Sequence, residues 1–494
     1  MASKYRLTSE EREFFSLVES AVLANPFSDE RMTLDLRIVG MFPDVELDQL
    51  IDRAIAEVKS RITKIEQEGR CDLQKFSPKD QRMLRAACLF DIFYTFVDQF
   101  DRLIQEQMEA GEKSVKVAFA NEVLSLFHQR GFTHEEALHF FAMAYQLRRA
   151  YYFIDHGLVG RSPCMKKLRE RLWNNVFTYD LDLYDRYLWN RMDDFSTLLL
   201  GETGTGKGAA AIAIGRSGFI PFDEHRGCFA ESFNRLLVSL NLSQFSENLI
   251  ESELFGHRKG AFTGAIDDHE GLFDRCAKFG TIFLDEIGEV STPVQIKLLK
   301  VLEERIYSPV GSHVEKSFKG RIIAATNRSI EEIQNKSYIR DDFFYRLCSD
   351  MIFVPPLRQR IAEDPGELED LLNYSLMHIT GQSSPDLTGM VRNTIENDLG
   401  LNYAWPGNVR ELRQCVRRIL LNRSCRGGEQ TQTRGAPSKL AKDIDSGNID
   451  ARTLVKRYCQ LLYDKTGNYG EVARRTGLDR RTVKKHVEEG DVES

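Results

Sequence analysis

No stretch of this chain stays apolar for the ~18 residues that a membrane-spanning helix needs, so no membrane partner is expected. The opening MASKYRLTSEEREFF has no short apolar core, which excludes the pattern of a secretory signal. The nine cysteines are scattered without close pairs, as expected of reduced, buried thiols in a cytoplasmic protein. There is no large excess of charge. The formal net charge is -7, so any nucleic-acid contact must come from a local basic patch. Internal repeats are absent. Up to residue 155 there is little strand-like alternation, and no strand–helix series ending in exposed aspartates. A phosphoacceptor receiver domain is thereby excluded. Hydrophobic residues at 42% and charged residues at 29% are ordinary for a folded chain, and 494 residues suggest two to four domains.

Residues 1–155 read as helical. In LDQLIDRAIAEVKSRITKI, Leu47, Leu50, Ile51, Ala54, Val58, Ile62 and Ile65 form one stripe at helical spacing. Phe14, Leu17, Val18, Ala21 and Val22 suggest another helix, and the aromatic HEEALHFFAMAYQLRRAYYFI a third. The pattern changes near Gly157. STLLL, LLVSL, TIFL, RIIAAT and MIFVPP are short continuous apolar runs between helical segments, as in buried parallel strands. The predicted fold is an α/β nucleotide-binding core at 156–425, with a helical lid from 356 to 425. A polar linker, 426–450, leads to a small all-helical unit at 451–494.

GETGTGKG follows a predicted strand and fits a phosphate-binding loop. Its residues are Gly201, Glu202, Thr203, Gly204, Thr205, Gly206, Lys207 and Gly208. The glycines turn backbone N–H groups toward phosphate, and Lys207 supplies a point charge. The usual magnesium-binding hydroxyl after the lysine is replaced by Gly208. Downstream, GTIFLDEIGE ends an apolar strand in two carboxylates. Asp285 is the candidate Mg2+ ligand, and Glu286 the candidate base for an attacking water. A lone acidic pair at a strand end could be a solvated strand end; its place downstream of a phosphate loop argues for hydrolysis.

Between these motifs lies ESELFGHRKGAFTGA, whose glycine-rich half makes a poor core and a poor catalytic segment. With GLVGRSPCM at 157–165, RIIAATNR and WPGNVREL, it closely resembles the bacterial enhancer-binding proteins, the AAA+ activators of sigma-54 RNA polymerase. The likeness covers about residues 157–424. It implies ATP and Mg2+ as cofactors and a ring, usually a hexamer. It implies that Gly260, Ala261, Phe262, Thr263, Gly264 and Ala265 contact sigma-54. It gives Asn241 the task of restraining Glu286. Arg340 and Arg346 become arginines acting on a neighbouring subunit, although either could be a surface salt bridge. Thr326 and Asn327 match the sensor-strand end, and Arg410 the lid arginine that senses phosphate. Two departures stand out: Gly208 and Arg258 each replace a glutamate usual in the family. NNVFTYDLDLYDRYLWNRMDDF and GRSGFIPFDEHRGCFAESFNR are longer than is usual there.

The C-terminal DKTGNYGEVARRTGLDRRTVKKHVEEG reads as helix–turn–helix, with Gly477 at the turn and Asp479 capping the second helix. Arg480, Arg481, Thr482, Lys484 and Lys485 fall on that helix, as candidate contacts to double-stranded DNA at enhancer sites. The implied function is ATP-driven remodelling of sigma-54 polymerase at promoters with upstream sites. A DNA-bound regulator that works without sigma-54, or a remodeller of another protein, are the competing readings. Residues 1–155 are expected to regulate, without indicating the signal.

Overall fold

Each apolar run becomes a strand. The computed structural model describes residues 5–40, 47–335, 338–425, 447 and 450–488. Strands β1 (Thr197–Leu200), β4 (Leu237–Asn241), β5 (Thr281–Asp285), β8 (Arg321–Thr326) and β9 (Asp350–Phe353) form one sheet. The order is β4-β5-β8-β1-β9 and every pairing is parallel. Two short antiparallel pairs flank it: β2 (Phe222–Asp223) with β3 (Cys228–Phe229), and β6 (Ile306–Tyr307) with β7 (Lys316–Ser317).

Alternation along the strands divides the core in two. Leu199, Phe283, Ile323 and Ala325 face one side. Leu198, Leu200, Ile282, Leu284, Ile322 and Ala324 face the other, against Val294, Leu298 and Val301 of the helix Thr292–Glu304. A strand points successive side chains to opposite faces, so a sheet covered on both sides must be apolar at every position.

The first side is covered in two layers. The helix Lys207–Gly215 lies directly on the sheet, and N-terminal helices lie over it. The N-terminal helices are α1 (Ser9–Leu23), α2 (Asp29–Val39), α3 (Leu47–Gln67), α4 (Pro78–Thr95), α5 (Val97–Ala110), α6 (Ala120–Gln129), α7 (His134–Gly157) and α8 (Pro163–Phe177), of which α7 and α8 pack against Lys207–Gly215. Thr8 with Glu11, and Thr133 with Glu136, form capping boxes that start α1 and α7. The predicted stripe on α3 buries Leu50, Ala54, Val58, Ile62 and Ile65. Most of the N-terminal apolar side chains join the same cluster as Leu199 and Ile323, so the helices and the sheet share one core.

The lid helices Leu357–Glu363, Gly366–Thr380, Pro385–Leu399 and Asn408–Asn422 enclose a separate core around Leu372, Val391, Leu412 and Val416. Here one expectation is corrected. Cys415 and Cys425 form a disulfide, whereas the scattered cysteines read as reduced, buried thiols. Arg423, in the left-handed conformation, ends the last lid helix and turns the chain back so that Cys425 meets Cys415.

The chain divides into the units Met1–Cys425 and Arg426–Ser494. The predicted linker lies almost wholly outside the described residues. In the second unit, Ala451–Thr466, Tyr469–Thr476 and Arg480–Glu488 are helices packed around Cys459, Leu462, Val472, Val483 and Val487. No helix among the described residues is long and apolar enough to cross a membrane.

Candidate functional site

Parallel strands bring their carboxyl ends to one edge, where a doubly wound sheet places its ligand. Leu200, which pairs with Thr326, is followed there by the phosphate loop. Asn241 pairs with Asp285 at the same edge. A cavity of about 430 Å3 opens over it. Its walls include Leu158 and Val159, the phosphate loop from Thr203 to Gly208, the carboxylates Asp285 and Glu286, and Tyr374, Arg410 and Arg413 of the lid.

The loop is built for close approach. Gly204 has φ +81°, and a methyl group there would lie 2.9 Å from Cβ of Arg410 and against the Gly407 carbonyl. Lys207 begins its helix and is 7% exposed. Its ammonium donates to the carbonyls of Gly201 at 2.7 Å and Glu202 at 3.2 Å. Burial lowers its pKa, opposed by the carboxylates of Glu286 and Asp285. The Thr205 hydroxyl donates to the Glu202 carbonyl and braces the turn.

Glu286 adopts the left-handed region, φ 58° and ψ 50°, which is uncommon for a non-glycine residue and marks a constrained backbone. Burial raises its carboxyl above the usual range, while Lys207 pulls it back. Its Oε2 accepts from the Asn327 N–H at 3.3 Å. The Asn327 amide in turn donates to the Thr203 hydroxyl at 3.3 Å, joining the end of β8 to the phosphate loop. Thr326 is fully buried.

One expected contact differs. The Asn241 amide donates to Oδ2 of Asp285 at 3.2 Å, not to Glu286. The register explains this, since Asn241 and Asp285 are partners in adjacent strands while Glu286 has turned away into the left-handed conformation.

The lid contributes a residue that sequence reasoning passed over. Asn408 is fully buried at φ 52°. Its Oδ1 accepts from the Leu357 N–H at 2.7 Å, and its Nδ2 donates to Glu202 Oε2 at 3.2 Å and to the Thr203 carbonyl at 3.1 Å. It ties the lid to the phosphate loop. The signal was present in WPGNVREL, where only Arg410 was singled out. An Arg358–Glu202 ion pair adds a second tie and holds the Glu202 carboxyl below its usual range.

Arg340 and Arg346 do not line the cavity of their own chain. Arg340 pairs with Asp342 at 2.6 Å, and Arg346 donates to the Leu302 carbonyl at 3.0 Å.

The loop 260–265 lies between the helices Glu247–Phe255 and Leu272–Arg275. Gly260 at φ +80° and Gly264 at φ +103° have open space where a side chain would sit. The loop closes on itself through Gly260 N–H to the Ala265 carbonyl at 2.8 Å. Thr263 is exposed, and Phe262 is 38% exposed with its ring edge-on to His257 at 4.9 Å. Arg258 pairs with Asp268, which also accepts from the Lys259 N–H at 2.7 Å. In the C-terminal unit, Arg480, Arg481, Thr482, Lys484 and Lys485 are exposed along one helix, and Asp479 accepts from the Arg481 N–H at 2.6 Å.

A five-stranded parallel sheet with a phosphate loop after β1, two carboxylates at the end of β5 and a helical lid over the cleft defines an AAA+ nucleotide-binding domain. Residues 184–352 match the family described as the Sigma-54 interaction domain. The transcriptional regulatory protein ZraR of Klebsiella oxytoca is 36% identical over 335 residues, which are 66% of this chain and 67% of ZraR. The Nif-specific regulatory protein of Azotobacter vinelandii is 38% identical over 270 residues, 55% of this chain and 45% of that protein. Among solved structures, NtrX from Brucella abortus in complex with ATP aligns over 75% of this chain and 80% of its own, with 20% identity and a TM-score of 0.41. The chain belongs to the sigma-54-dependent enhancer-binding activators.

Proposed function

We propose that this protein is an ATPase that assembles into a ring, usually hexameric in the family, and remodels sigma-54 RNA polymerase from the closed to the open promoter complex. The observation that carries the reading is one cavity lined by Lys207, Asp285, Glu286 and Arg410 in a chain whose exposed loop 260–265 keeps the intact GAFTGA sequence.

Lys207 would leave the Gly201 and Glu202 carbonyls for the terminal phosphates, joined by N–H groups at the start of its helix. Mg2+ prefers a few oxygen donors and the nucleotide's own phosphates, which fits Asp285 beside a loop without a hydroxyl at Gly208. When bound, the ion neutralises phosphate charge. Glu286, its carboxyl raised by burial, would take the proton of the attacking water. Asn327 bridges Glu286 and Thr203, which suits a sensor of the γ-phosphate. Arg410 would meet the phosphates from the lid, and Arg340 and Arg346 would act on the neighbouring subunit's nucleotide. Cycling would raise and lower Phe262 and Thr263 against sigma-54, an aromatic anchor beside a polar contact. The C-terminal unit would hold the ring on enhancer DNA, and residues 1–155 would regulate.

The test is steady-state hydrolysis and binding of a fluorescent ATP analogue by wild type and Glu286→Gln. The variant should bind within a few-fold of wild type and lose about 100-fold or more in turnover. Normal turnover would refute the base assignment.

A further inference from the structure

Arg149 is fully buried in α7, yet no carboxylate pairs with it among the described residues. Its guanidinium donates to the carbonyl of Arg216 at 2.6 Å and to that of Gly218 at 2.7 Å. Tyr145 and Phe233 lie under it, 4.5 and 5.9 Å from the charge to the ring centres. Its Nε is buried and has no partner. One turn earlier on the same face, Gln146 donates to the Ser217 carbonyl at 2.9 Å and to the Tyr184 hydroxyl at 2.8 Å. Three successive carbonyls, 216 to 218, are therefore taken by two side chains of α7.

Those carbonyls follow directly on the phosphate-loop helix, Lys207–Gly215. Arg216 and Ser217 cap that helix, the Arg216 N–H on the Ile212 carbonyl, the Ser217 N–H on that of Ile214 and the Ser217 hydroxyl on that of Ala213; the helix carries partial negative charge at this end, so a buried cation is well placed there. The other end of this nine-residue helix, about 13 Å away, carries Lys207 and the phosphate-binding N–H groups. α7 also packs along the helix itself.

We infer that Arg149, aided by Gln146, is a positioning residue through which the N-terminal helical layer sets the place of the phosphate-loop helix, and hence nucleotide affinity. A buried guanidinium with no counter-ion is costly to maintain. Burial pushes its pKa down to about 10. If α7 shifts, those three carbonyls lose their partners and the capping residues Arg216 and Ser217 lose their anchor. The longer segments before and after this helix supply the groups that α7 meets, since Tyr184 comes from the first and residues 216–218 and Phe233 from the second. This inference rests on the ATPase reading above.

The test uses the full chain with Arg149→Met, Arg149→Lys and Gln146→Met. Fluorescent ATP-analogue affinity, KM and kcat for ATP, and thermal melting are measured for each. Small displacements of a binding element are felt strongly, so Arg149→Met should weaken analogue binding and raise KM by about tenfold or more. Arg149→Lys, which keeps the charge and can reach one carbonyl, should recover part of the loss. A purely structural role would lower the melting temperature and leave the affinity of the folded protein unchanged; that result overturns the inference. If Arg149→Met does not fold, Arg149→Lys and Gln146→Met decide by the same criterion. Wild type that fails to bind the analogue would overturn the ATPase reading, and the inference with it.

Discussion

Gly204→Ala puts a methyl group between the phosphate loop and the lid. Gly204 sits at φ +81°, where an L side chain costs about 1–2 kcal/mol. The methyl would also come 2.9 Å from Cβ of Arg410 and press on the Gly407 carbonyl. Overpacking of this kind adds about 1–3 kcal/mol. The sum is about 2–5 kcal/mol, which the protein can relieve by moving the lid away. Yet Arg410 lies on that lid and Asn408 ties it to Glu202 and Thr203. If closure is needed for affinity, the lower figure alone corresponds to more than about tenfold weaker binding. Gly208→Ala is the comparison, because its methyl would meet nothing within 4 Å and its φ is ordinary. It should melt at or slightly above the wild-type temperature. Titration with a fluorescent ATP analogue reads the binding of each. Wild-type affinity in Gly204→Ala would refute the claim that loop and lid close together on nucleotide.

Asp80 gives a pH-dependent expectation. The Arg12 guanidinium at 2.7 Å holds its carboxyl below the usual range, against the opposing effect of burial, and the Leu7 N–H adds a further bond. Because the folded pKa is the lower one, this stabilisation is complete above the unfolded value of about 4 and is lost as pH falls through the folded value. Asp80→Asn should cost about 1–2 kcal/mol at neutral pH and less near pH 3, where the unfolded carboxyl is protonated first. Melting curves that differ equally at both pH values would contradict it. In the C-terminal unit, Lys484→Ala with Lys485→Ala should weaken binding to duplex DNA and flatten its salt dependence by about two phosphate contacts. Unchanged affinity in a salt titration would remove that helix as the reader.

The strands and the phosphate site were legible because each is local. An apolar run of four to six residues ending in glycine or in Asp285–Glu286 announces both a buried parallel strand and the chemistry at its end. Tyr469–Thr476 was readable for the same reason, bounded by Asn468 as its cap and Gly477 in the left-handed conformation. What the sequence hid depends on pieces brought together from a distance. Periodicity marked HFFAMAYQLRRAYYF as a core-forming helix. It could not show that Arg149 reaches past those rings to carbonyls 67 and 69 residues away. The segment after the phosphate-loop helix looked like a loop insertion, but Phe229 stacks on Tyr145 at 4.0 Å, a contact only the packed helices create. The resemblance links Asn241 to Glu286, whereas strand register sets it beside Asp285, to which it donates. Cys415 and Cys425 are ten residues apart and meet only because the lid helix ends in a left-handed turn.

If nucleotide drives the loop 260–265 onto sigma-54, the two proteins should form a complex that depends on Phe262. The most direct measurement is co-sedimentation of the purified chain with sigma-54 in the presence of an ATP transition-state analogue, beside a Phe262→Ala variant. A complex formed by wild type and lost in the variant, with ATP hydrolysis retained in both, is the predicted result. Wild type that hydrolyses ATP but forms no complex would contradict that contact role.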